Sequence, residues 1–480
     1  MSLKAQKEQF VSNLSGGLTQ EIYAVTGIAL AGFFSHSLVK KWALPSIEVL
    51  NGQPVHFLIE FYFDVLLLLQ SITIFSNQTG KLYLHALLPG IAVLIYQACT
   101  TNHKSKKPPK SQKQVLTELL PKKSFITVYR AQMMIITNLA ILAVDFHSFP
   151  RRFAKVETWG TSLMDMGVGL FVFAMGLANS RSVIKKKTAA TKDSQSYLQL
   201  IRQNTVKALP VLALGLIRLV SVKSLEYQEH ESEYGIHWNF FMTLGLLPIV
   251  LGILDPILNY VPRFFVALAI GVIYEAVLQS TSLTKFILDP SNRRENLLTM
   301  NKEGVFSFIG YLSIFIFGQS FGSFVLTLRK TPNNLLGTYS GVKPHKWLTV
   351  SPTRGLVISS VVSFSIFFFV KESRATGSVS RRIANLPYVM WTVSYNSAFL
   401  LGYDLIEQMV GPILSSILEG INNNGLALFL VANLSTGLVN MSINTLKVSS
   451  GMSYVILIAY ALTWTALAIW LDKKGIYIKL

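Results

Sequence analysis

Apolar runs of about 17–25 residues, each long enough to cross a bilayer as a helix, follow one another along almost the whole chain. They place spans near 22–39, 55–75, 82–100, 126–146, 161–180, 208–222, 238–257, 264–281, 304–328, 355–370, 387–409, 424–445 and 450–471, the sixth being short. The expected fold is therefore an all-α polytopic membrane protein, about 13 transmembrane helices in one bundle. Residues 1–21 form a segment before the bundle, 22–471 a single transmembrane domain and 472–480 a tail. Composition agrees, because 14% charged residues falls well short of the roughly 25% that covers a water-soluble domain. Residues 1–21 are polar, and the first apolar run ends in a basic pair and not a small-residue cleavage site, so no cleavable signal peptide is expected. The lone Cys99 excludes an intramolecular disulfide and any Cys-based metal site.

A net charge of +19 raises the question of nucleic acid, but the lysines sit in short loops between apolar runs. That pattern speaks for membrane topology and lipid headgroups. The loops starting at Lys40, Asn102, Arg181, Val261, Arg329 and Met409, with the C-terminal tail, carry most of the Lys and Arg. This bias puts them in the cytosol and the N-terminus on the luminal side. The glycosylation sequons Asn13-Leu-Ser15 and Asn77-Gln-Thr79 then fall on the non-cytosolic side, whereas Asn433-Leu-Ser435 lies inside a span.

The two kinds of loop differ in character. Cytosolic stretches such as Lys104-Ser-Lys-Lys-Pro-Pro-Lys110 and Lys185-Lys-Lys187 read as solvated tethers. The opposite loops, 145–160, 225–239 and 378–388, interleave aromatics, histidines and both charge signs. A mere connector needs none of this, so a polar-substrate site is expected there.

Charges inside a bilayer cost about 2.5–3.5 kcal/mol each on insertion scales, which makes every intramembrane ionisable group a functional candidate. Glu60 and Asp64 share a face of the second span, Asp145 caps the fourth, and Asp165 lies one turn into the fifth. Asp255, Glu275 and Asp404 sit in later spans, with Arg130 and Arg218 as natural partners. The plain alternative for each is an interhelical salt bridge or hydrogen bond. Asp145 with Lys155 stands apart: an aspartate at an apolar boundary can have its pKa raised and act as a general base, and a lysine or arginine near it can hold an anionic headgroup or an oxyanion. Spacing alone leaves this reading level with that of an ion pair closing a loop.

Two patterns are set aside. Gly318-Gln-Ser-Phe-Gly322 fits a nucleophile elbow, but that device needs a strand–turn–helix, and here small residues serve helix packing. The loop bearing Glu229, His230, Glu231, Glu233 and His237 lacks the spacing of a metal site and reads better as hydrogen-bonded; no metal is expected.

The string Phe149-Pro-Arg-Arg-Phe-Ala-Lys-Val-Glu-Thr-Trp-Gly-Thr-Ser-Leu-Met-Asp165 carries a resemblance. So do Leu225-Glu-Tyr-Gln-Glu-His230, Glu233-Tyr-Gly-Ile-His-Trp-Asn239, Ser380-Arg-Arg-Ile-Ala-Asn-Leu-Pro-Tyr388 and Asn433 through Ser442. From about residue 8 to the C-terminus the chain resembles the GPI inositol acyltransferases, known in fungi as the GPI-anchored wall transfer proteins and in animals as PIG-W, and it looks yeast-like. The resemblance implies an endoplasmic reticulum membrane enzyme with no cofactor beyond acyl-CoA as co-substrate. Such an enzyme moves a fatty acyl group, usually palmitoyl, to the inositol 2-hydroxyl of glucosaminyl-phosphatidylinositol, and the fungal members are antifungal targets. The implied partners are these two substrates and membrane lipids, with no nucleic acid and no obligate protein partner.

The family's Asp–Lys pair matches Asp145 and Lys155, and Arg151, Arg152, His230 and His237 become candidates for substrate phosphate and sugar. Asp165, Trp238, Arg381, Arg382 and Asn385 lie in the same matching strings and join them. Asp145 is expected as base, with direct attack on the thioester and no acyl-enzyme. Acyl-CoA is cytosolic while Asp145 maps to the lumen, so a tunnel across the membrane is expected. The competing expectation is a proton-coupled lipid or solute transporter, which scattered intramembrane carboxylates suit equally.

Overall fold

The computed structural model describes residues 3–46, 53–100, 120–188, 196–224, 231–291, 293–327 and 350–478. Among these, twelve helices are long and apolar enough to cross a membrane. In chain order the long helices are α1 (Thr19–Ala43), α2 (Pro54–Ile72), α3 (Thr79–Thr100), α4 (Ser124–Ala143) and α5 (Met166–Thr188). Next come α6 (Tyr197–Ser224), α7 (Phe240–Tyr260), α8 (Arg263–Ser280), α9 (Lys302–Val325) and α10 (Pro352–Glu372). Last are α11 (Leu386–Val410), α12 (Gly425–Ser442) and α13 (Ser450–Lys473). Helix α11 is not among the twelve; its 25 residues include Asn396, Asp404, Glu407 and Gln408, which dilute an otherwise apolar span. The protein is thus an all-α polytopic membrane protein with about thirteen spans.

Two boundaries differ from expectation. The sixth helix is long, at 28 residues, because Arg202, Asn204 and Lys207 at its start hide a helical stretch from a search for apolar runs. The fifth begins only at Met166, so Asp165 precedes the helix and does not lie within it. Helix starts follow local chemistry: the Asn239 side chain accepts from the backbone N–H of Phe241 and Met242 ahead of α7, and Pro352 opens α10.

The chain divides into two compact units. The first holds residues 1–8, 156–161 and 165–398; the second holds 9–155, 162–164 and 399–480. In the first unit α5 lies flat against α9. A Cβ on Gly176 would stand 2.1 Å from the Phe315 carbonyl oxygen, and one on Gly318 2.2 Å from that of Phe173. Small residues let the two backbones approach, the main source of helix association in lipid. The Gly318–Gly322 segment is therefore a packing surface inside a continuous helix. In the second unit α1 packs against α2 and α3 in the same way, with Gly32 against the Phe63 carbonyl and Gly90 against Ser35.

Candidate functional site

At the end of α4 the chain tightens into turns, with Asp145 N–H donating to the Leu142 carbonyl and Phe146 N–H to that of Ala143. This leaves the half-buried Asp145 carboxylate at the mouth of the loop that follows. Phe146, Phe149 and Phe153 anchor that loop, each at most 1% exposed. The Arg151 guanidinium clamps it by donating to the carbonyls of Phe146 (3.0 Å) and Phe149 (2.8 Å) while lying 3.9 Å from the Phe10 ring. Burial lowers the Arg151 pKa to about 10, and the charge of Asp145 pulls it the other way. Arg152 pairs with Glu21 at 2.7 Å and donates to the Asn77 side chain, so the amide of that sequon is engaged. Lys155 stands exposed at the end of the same loop.

The second unit holds Asp145, Arg151, Arg152 and Lys155, with Arg151 close enough to Asp145 to feel its charge. To these it adds Asn440 of α12, whose Nδ2 donates to Asp145 Oδ2 at 2.7 Å and to the Thr436 carbonyl at 3.2 Å. Sequence reasoning did not single out Asn440. The available signal was its place in the string from Asn433 to Ser442, as a polar side chain one turn beyond Thr436 near the end of a span.

The first unit holds Asp165, His237, Trp238, Arg381, Arg382 and Asn385. His230 lies outside the described residues. Here the charges meet each other. Arg381 donates to Asp165 (2.9 Å) and Glu233 (3.0 Å), and Arg382 shares Glu303 with Arg293. Burial works against the charged form of Arg381, but Glu233 and Asp165 outweigh it and hold its pKa above the usual range. Asn385 closes its own loop, accepting from the Ser380 N–H and donating to the Ser378 carbonyl. The backbone N–H groups of His237 and Trp238 both donate to Asn301 Oδ1, and the Trp238 indole donates to Thr243. Glu275 receives the N–H groups of Gly377 and Leu386, which pins the start of α11. The arrangement is a self-neutralised brace.

The remaining intramembrane acids find partners other than Arg130 and Arg218. Glu60 meets Lys40 at 2.8 Å, and Asp64 has His36 within 3.5 Å. Asp255 takes Asn259, and Asp404 takes Gln408. Among the described residues no group of three or more His, Cys, Asp or Glu is placed to hold a metal ion.

Helices of this number and polarity define an all-α polytopic membrane protein. The GWT1 family model matches residues 3–471, and the chain belongs to that family. It is 54% identical to the GPI-anchored wall transfer protein 1 of Candida albicans over 499 aligned residues, covering 100% of this chain and 99% of that one. Its identity to the proteins of the same name from Debaryomyces hansenii and Saccharomyces cerevisiae is 53% and 43%, in each case over 100% of both chains.

Proposed function

We propose that the chain acts in GPI-anchor synthesis in the endoplasmic reticulum, as an O-acyltransferase moving a palmitoyl-type acyl group from acyl-CoA to the inositol 2-hydroxyl of glucosaminyl-phosphatidylinositol. Membership of the GWT1 family supports the pathway. The single observation that carries the chemistry is the Asp145 carboxylate, half-buried at a helix end and oriented by Asn440. In the proposed step Asp145 takes the proton of the inositol hydroxyl as its oxygen attacks the thioester carbonyl. A C–O bond forms, the C–S bond breaks, and the proton passes on to the departing CoA thiolate. Lys155 stabilises the carbonyl oxygen as negative charge develops on it. Arg151 and Arg152, which already hold the loop, present the remaining faces of their guanidinium groups to the lipid phosphate. The N-terminus lies in the lumen and the tail in the cytosol.

Detergent-purified protein, labelled palmitoyl-CoA and a soluble glucosaminyl-phosphatidylinositol analogue test this directly, with wild type and Asp145→Asn compared at equal folding. Transfer by the wild type and a loss of at least about 100-fold in the variant is expected, the scale of a general base. No transfer by folded wild type sinks the enzyme and returns the transporter reading. Equal transfer by both proteins keeps the enzyme and discards Asp145 as its base.

A further inference from the structure

On α4, which ends at Ala143, Asn138 lies seven residues before Asp145, on the order of 10 Å away along the axis at 1.5 Å per residue. Its side chain is fully buried, and neither its carboxamide oxygen nor its nitrogen has a hydrogen-bond partner. At the same level the Tyr460 hydroxyl of α13 donates to the Asn138 carbonyl at 2.9 Å and reaches the Ala432 carbonyl of α12 at 3.2 Å. One turn further along α13, Trp464 is also fully buried, with its indole N–H unpaired. Asn440 ties Asp145 to Thr436, and Thr436 approaches the Tyr460 hydroxyl. A polar seam therefore runs from Asp145 through Asn440, Thr436 and Tyr460 to Asn138, between α4, α12 and α13.

Buried amides and indoles without partners cost free energy, and a leucine or phenylalanine would pack in their place without that cost. The seam keeps two donors and one acceptor, all neutral. A hydrocarbon tail would leave all three unpaired, and a phosphate calls for cations. A secondary amide on a thin flexible chain satisfies them: its N–H and C=O pair with the two ends of the Asn138 carboxamide, and a second carbonyl accepts from Trp464. We propose that this seam is the subsite for the amide-bearing pantetheine arm of the acyl-CoA, with the thioester beside Asp145 and the arm running inward along α4. The proposal rests on the acyl-CoA chemistry proposed for Asp145.

The test measures equilibrium binding to full-length protein in detergent of two probes: palmitoyl-CoA, and the palmitoyl thioester of ethanethiol, which has no amide. Asn138→Leu is expected to weaken palmitoyl-CoA binding about tenfold and Trp464→Phe by less, with the amide-free thioester unaffected by either. Because Leu replaces an unpaired buried carboxamide at similar size, ligand-free Asn138→Leu is expected to melt no lower than wild type. Equal weakening of both probes, or a lower ligand-free melting temperature, makes Asn138 a packing residue and overturns the subsite. Unchanged palmitoyl-CoA binding also overturns it and leaves a single buried water at Asn138. Amide-dependent binding in a wild type that transfers no acyl group keeps the seam and sinks the transfer reaction; transfer without amide-dependent binding sinks the seam alone.

Discussion

Asn440 hands an N–H to Asp145 over 2.7 Å, joining positions 295 residues apart in the chain. A donor aimed at a carboxylate favours its ionised form, so removing the donor raises the carboxyl pKa. Asn440→Leu is expected to lower kcat by about tenfold or more and to move the acid limb of the kcat/KM profile to higher pH. A pH profile measured against wild type checks this. An unmoved limb would assign Asn440 to packing alone.

The brace around Arg381 makes a stability prediction. Arg381→Met would leave the Asp165 carboxylate, 1% exposed, without its cation. Removing one partner of a buried pair costs about 3–5 kcal/mol. Arg381→Lys is expected to recover only part of this, since one ammonium cannot reproduce the fork that reaches both Asp165 and Glu233. Thermal unfolding in detergent reads the order wild type, Lys, Met; a Met variant as stable as wild type would refute the brace.

Gly310 of α9 faces the loop before α11. A Cβ there would lie 1.9 Å from the Ala384 carbonyl oxygen, and Ala384 itself holds a φ of 45°. Neither backbone can give way easily. Gly310→Ala is expected to destabilise by about 1–3 kcal/mol, the range for overpacking. Gly437→Ala, with no atom within 4 Å of the new Cβ, serves as the neutral control in the same unfolding assay.

Lys123, just ahead of α4, has its pKa lowered to about 8 by burial, against the opposing pull of Asp404 and Glu407. Between about pH 8 and the unfolded-chain value of about 10.4 the unfolded state binds the extra proton, so stability rises with pH across that window. Below about pH 8 the burial cost of the charge is present in full. Lys123→Met is therefore expected to melt higher than wild type at neutral pH, with the gap closing as the pH is raised toward 10. Parallel melting curves at all pH values would contradict the assignment.

Much of this architecture could be read from residue order alone, because hydrocarbon imposes its length requirement on every span. The packing role of Gly318 and Gly322 was legible for the same reason: a G-x-S-x-G string inside an apolar run has no turn to sit on. Pairing was not legible. Asp165 and Arg381 lie 216 residues apart, and nothing local announces that each cancels the other's charge. The same holds for Asn440, whose partner lies at the end of a different helix. Local spacing names the polar groups that exist, while the tertiary fold decides which of them neutralise one another and which stay available to a substrate.

Helices α1 and α2 meet through two polar contacts at matching intervals, the Lys40–Glu60 ion pair and the approach of His36 to Asp64. Residues four apart on one helix thus answer residues four apart on the other, running in opposite directions. Sliding α1 by one turn would oppose His36 to Glu60 and leave Asp64 facing Gly32; the reverse slide would give Lys40 to Asp64 and leave Glu60 against Leu44. Either slip strands a carboxylate in hydrocarbon, at about 2.5–3.5 kcal/mol. The ladder works as a ratchet pawl: two modest contacts, too weak to drive assembly, admit one alignment of the hairpin and reject its neighbours while the helices are still finding each other in the bilayer.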